Sequence, residues 1–112
     1  MAVNNSQYAE TGIELATVTL TGGVDLIGAG ILLHNPVMII FDNQSAVPIA
    51  IYHNQTTDIW RTFPAGEALV LDMRAAHGLA SNYTFRIGDT FYAQGAAGAN
   101  VFSISYTYAK DL

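Results

Sequence analysis

The sequence predicts an all-β fold, a small β-sandwich or jelly roll of eight or nine short strands. Runs rich in Val, Ile, Thr, Tyr and Phe recur at a spacing of roughly ten residues. Clusters of Gly, Asn, Asp and Pro separate them. No helical periodicity intervenes, which argues against alternating strand and helix units.

The elements follow in order. Ile13 to Leu20 and Val24 to Leu33 read as the first two strands, joined by Thr21-Gly22-Gly23 as a hairpin turn, since glycine accepts positive φ. Gly28-Ala29-Gly30 predicts a bend or bulge in the second. Val37 to Phe41 is apolar at both parities and suits a core strand covered on both sides. After the turn Asp42 to Ser45, Ala46 to His53 forms a strand whose Pro48 belongs at an edge or a strand start, because proline donates no ladder hydrogen bond. Asn54 to Asp58 is a turn, Ile59 to Phe63 a short strand, Pro64 to Glu67 a turn and Ala68 to Met73 a strand. Ala75 to Ser81 is loop, Gly78 disfavouring a long helix. Tyr83 to Ile87, Thr90 to Gln94 and Val101 to Tyr108 complete the set. In the last, Phe102, Ile104, Tyr106 and Tyr108 share one face and Ser103, Ser105 and Thr107 the other.

A chain of 112 residues is one domain. Residues 1–12 read as an N-terminal arm, polar and without strand pattern, and 13–112 as the sandwich. The arm is expected to lie across an adjacent subunit. Neither a basic start nor an apolar run marks the N-terminus as a secretory signal. The apolar stretch Val24 to Phe41 is broken by Asp25, His34, Asn35 and Pro36, so no membrane helix is expected.

Charge narrows the function classes. Only 12% of residues are charged, against about 25% in ordinary soluble domains, while 51% are hydrophobic. Such a surface exposes uncharged patches, which mark contact sites, so permanent assembly is expected. A net charge of −5 with four scattered basic residues argues against direct binding of nucleic acid.

No catalytic pattern emerges, and the expectation is a non-enzymatic protein without cofactor or metal. His34, His53 and His77 share no ligand spacing, there is no cysteine, and Asp42 to Ser45 lacks the glycine and glutamate of a calcium loop. No nucleophile elbow or phosphate-binding glycine loop occurs. Four Asn-x-Ser/Thr triplets, at Asn4, Asn43, Asn54 and Asn82, are read as turns. Aromatic anchors remain: Trp60 with Phe63, or Tyr106 with Tyr108, as interface or sugar-stacking residues against ordinary core packing. Candidate interface residues are Asn4, Asn5 and Tyr8 in the arm, with Trp60, Tyr106 and Tyr108 in the domain.

One family resemblance accompanies this pattern. Asn43-Gln44-Ser45 before Ala46-Val47-Pro48-Ile49, then Phe63 to Leu69, Leu71-Asp72, Gly88 to Ala93, the glycine loop Gly95 to Gly98 and Val101 to Tyr106 resemble accessory modules of tailed-phage virions. The resemblance spans about residues 36–108 and is one of pattern. It implies a small β-sandwich decorating the capsid or belonging to the head–tail or tail apparatus, assembled in the bacterial cytoplasm. The implied partners are the major capsid protein or other virion proteins and further copies of the chain, a homotrimer being favoured. The alternative is a tail module that binds a receptor or glycan.

Overall fold

The computed structural model describes residues 11–28, 31–73 and 85–109. Its elements there are eight strands: β1 (Thr11–Thr19), β2 (Val24–Leu26), β3 (Pro36–Asn43), β4 (Ile49–His53), β5 (Arg61–Phe63), β6 (Ala68–Asp72), β7 (Phe91–Gln94) and β8 (Val101–Ala109). They form two antiparallel sheets, ordered β1-β8-β3-β6 and β2-β7-β4-β5. The pairs β1·β8, β2·β7, β3·β6 and β4·β5 are those of one long hairpin, and the contacts β8·β3 and β7·β4 roll it up. That wiring is the jelly roll, and the expected all-β sandwich is what the chain forms.

The core lies between the sheets and is built from rings. Phe41, fully buried on β3, has Trp60, Phe85 and Phe91 within 5.1 to 5.7 Å and Phe63 at 6.1 Å, mostly tilted or edge-on. Phe63 meets Phe102 of β8 at 5.2 Å. Ile39, Ile49, Ile51 and Ile104 fill the remainder. Phe102, Ile104 and Tyr106 alternate inward on β8 as the sequence predicts.

Several local expectations are corrected. Thr21-Gly22-Gly23 is no hairpin turn, because β1 and β2 belong to different sheets; it is a corner between them. Gly22 does take positive φ there, and the Asp25 carboxylate accepts from Thr21 N (2.9 Å) and Oγ1 (2.7 Å) to tie the corner. These bonds lower the Asp25 pKa. The second strand ends at Leu26 instead of Leu33. Gly28, at φ 65°, turns the chain back so that its backbone packs on Ala16 of β1 and its N–H donates to Thr17 O. Phe85 to Ile87 is not a strand: Gly88 at φ 93° and the Asp89 N to Arg86 O bond make it a turn, while Tyr83 and Thr84 lie outside the described residues. Pro48 stands just before β4, a central strand, so it marks a strand start and not an edge.

Two triplets read as turns are turns. Asn43 is wholly buried, with Nδ2 donating to Val47 O (2.8 Å) and Pro64 O (3.0 Å), and Phe63 O also in reach at 3.1 Å. Its Oδ1 accepts from Ser45 N (3.0 Å). Asn54, at φ 63°, caps the start of β7 by accepting from Thr90 N (2.8 Å).

Candidate functional site

Strand register decides which side chains face outward. On the β1-β8-β3-β6 sheet, Phe102, Ile104, Tyr106, Ile39 and Phe41 point into the core. The opposite parity therefore faces away from it. One outward row reads Ile13, Thr107, Met38, Asp72 from β1 to β6; the next reads Leu15, Ser105, Ile40, Val70; the third reads Thr17, Ser103, Asp42, Ala68.

A solvated sheet face normally carries polar and charged residues. Here five large apolar side chains stand together, with Ile13 75%, Leu15 66% and Val70 54% exposed. Neither Lys nor Arg occupies any of these strand positions; the ionisable ones are Asp42 and Asp72, on β3 and β6. No described element of the chain covers this face. On β3, apolar at both parities, Met38 and Ile40 of this face are half-buried, while Ile39 and Phe41 of the inner face are fully buried. Next to the open edge of β1, Ile31 and Leu33, about half exposed, line a groove of about 80 Å³ with Leu15.

The aromatic candidates sit elsewhere. Tyr106 is 5% exposed and its hydroxyl accepts from Leu33 N (3.1 Å) and His34 N (3.2 Å). Burial pushes its pKa up, against the two N–H donors, which act in the opposite direction. Tyr108 lies over Gly12, where a Cβ would overlap its ring, and stacks on His34 at 3.6 Å with the planes 3° apart. Trp60 is partly buried, leaning on Phe41 and Phe85, at the wall of a cleft of about 320 Å³ shared with Arg61, Leu69 and Leu71. Asn4, Asn5 and Tyr8 lie outside the described residues.

The polar cluster with the most chemistry is His53 and Asp89. Nε2 of His53 is 3.0 Å from Asp89 Oδ2, which also accepts from Arg86 N (3.1 Å). Asn54 Nδ2 donates to the other carboxylate oxygen (3.3 Å), and the His53 ring stacks on Phe91. Every member joins the β4 end to the 86–91 turn, which is a structural tie and carries no nucleophile beside the imidazole. Among the described residues no three His, Cys, Asp or Glu side chains form a metal-binding group.

Comparison with known protein families, with curated proteins and with solved structures finds no match. The site is therefore read from its geometry. The outward residues Ile13, Leu15, Met38, Ile40 and Val70 were not singled out by sequence reasoning, although the double-sided apolarity of β3 was a signal pointing at them.

Proposed function

We propose that this chain is a non-enzymatic structural protein of a tailed-phage virion, a capsid decoration or cement protein that stabilises the shell through low-charge interfaces. The observation that carries the reading is the low-charge, apolar outer face of the β1-β8-β3-β6 sheet. A face of this kind costs solubility in a free monomer and is stabilising only when covered. The jelly-roll wiring agrees, being an architecture common among viral capsid domains and also among lectins. The pattern resemblance over residues 36–108 supplies the phage context. Expected partners are the major capsid protein or other virion proteins, together with copies of the chain itself.

The test is sedimentation of the purified chain with undecorated particles, followed by electron microscopy. Binding that saturates at a fixed ratio to capsid subunits, with density on the shell, is the expected result. Absence of binding at micromolar concentrations overturns the proposal. The glycan-binding alternative rests on the lectin precedent and requires a ring free to stack on sugar. Trp60 instead leans on the core, so a glycan array is expected to be blank. Specific sugar binding lost on Trp60→Ala, with the fold retained, would establish the alternative.

A further inference from the structure

The edge strands β5 and β6 do not match in length. β6 has five residues and β5 three. On β6, Leu69 and Leu71 pair with Phe41 and Ile39 in the ladder and so share their inward parity. Phe41 and Ile39 are wholly buried, yet Leu69 and Leu71 are only partly so. The space left beside them is the cleft of about 320 Å³, whose other wall is Trp60 and Arg61. That volume falls at the low end of the about 300 to 1,000 Å³ usual for small-molecule sites.

The indole wall is fixed in place. Trp60 N donates to Ile51 O (2.8 Å), and the ring packs on Phe41, Phe85 and Phe63 at 5.1, 5.5 and 6.2 Å. Arg61 supplies the charge. Its guanidinium carbon lies 5.2 Å from the centre of the Phe63 ring, and Nη2 donates to Glu67 at 3.4 Å. The other guanidinium N–H groups and the indole Nε1–H have no acceptor among the described residues. None of the described lining side chains is an acceptor.

We propose that this cleft binds a medium-chain aliphatic carboxylate, with the chain between the indole and the two leucines and the carboxylate on the free donors of Arg61. The proposal goes beyond the virion reading and stands or falls independently of it. Charge complementarity selects the head group: one guanidinium with donors to spare matches one carboxylate and repels an ammonium. The walls select the body. Sugar hydroxyls or peptide amides would meet leucine and indole faces and lose their hydrogen bonds to water without replacement, whereas methylenes lose none. Glu67, beside the same guanidinium, opposes the incoming carboxylate and limits the affinity.

Trp60 is the single tryptophan of the chain, so its emission reports on the cleft directly. The experiment titrates the full chain with sodium octanoate. A saturable change in emission is expected, with a dissociation constant on the order of 0.1 to 1 mM, as suits so small a ligand. 1-Octanol and octylammonium, with the same chain, should bind at least about fivefold more weakly, and so should acetyl-leucyl-leucine, which carries its carboxylate on a peptide. Arg61→Gln should weaken octanoate about fivefold and leave octanol unchanged, while Glu67→Gln should tighten octanoate about twofold. Circular dichroism of both variants should match the wild type, since both side chains are well exposed. Failure to saturate by about 10 mM octanoate overturns the proposal. Equal binding of octanol or of the peptide overturns it too, as does an Arg61→Gln variant that binds octanoate like the wild type.

Discussion

At the scale of single residues, buried polar groups hold the corners of the jelly roll. Asn43 satisfies backbone groups from two separate turns while wholly buried. Asn43→Ala strands several of them without partners, each costing about 1 to 3 kcal/mol. Chemical denaturation should show a loss of about 3 kcal/mol or more, a large share of the ~5 to 15 kcal/mol typical of a domain. Tyr106 supplies a pH-dependent case. Its folded pKa is raised, chiefly by burial, so the folded state holds the phenolic proton more tightly than the unfolded state. That contribution is fully present below the unfolded value near pH ~10 and is lost as pH rises through the folded value. Denaturation midpoints should therefore fall on the alkaline side of pH ~10, and Tyr106→Phe should flatten that fall. The same variant should cost stability at neutral pH, because Leu33 N and His34 N lose their acceptor.

At the scale of elements, the β1·β8 ribbon shows how a glycine in a strand is chosen by its neighbour. Gly12 pairs with Tyr108, whose ring lies where a Cβ would stand, while His34 closes the other side of that ring. Gly12→Ala is expected to cost about 1 to 3 kcal/mol through displacement of the ring. Tyr108→Ala removes the obstacle, so the double variant should be less destabilised than the sum of the singles. A double-mutant cycle in urea measures the coupling, and additivity would mean that the ring does not decide the residue at position 12. β1 is a nine-residue edge strand, and the chain itself blunts part of that edge, Gly28 N donating to Thr17 O and the charged Glu14 standing at the inward parity.

At the scale of the molecule, stability comes from ring packing around Phe41 and from buried amide corners, with little from charge. Among the described residues Arg61 and Glu67 form an ion pair, half exposed at 3.4 Å, and His53 Nε2 makes a 3.0 Å hydrogen-bonding contact with Asp89 Oδ2. Exposed pairs contribute at most about 1 kcal/mol and are screened by salt. The melting temperature should accordingly move by no more than about 3 °C between low and half-molar sodium chloride. A larger drop would reveal a charge network beyond this pair.

Period-two alternation, β-branched and aromatic runs and glycine or asparagine turns were enough in the sequence to specify an all-β sandwich, the inward face of β8 and the turns at Asn43 and Asn54. These are local properties, set by side-chain parity and by backbone angles within a few residues. Pairing was not legible in the same way. Thr21-Gly22-Gly23 has the chemistry of a hairpin turn, and only the partners of β1 and β2, about ninety residues away in β8 and seventy in β7, decide that it is a corner between sheets. The proposed interaction surface was half legible. The apolarity of β3 on both parities announced two covered sides, but which residues of β1, β6 and β8 complete the outer side depends on register across four strands. Register is a tertiary property, because sliding a strand by one residue exchanges its two faces without altering a single letter of the sequence.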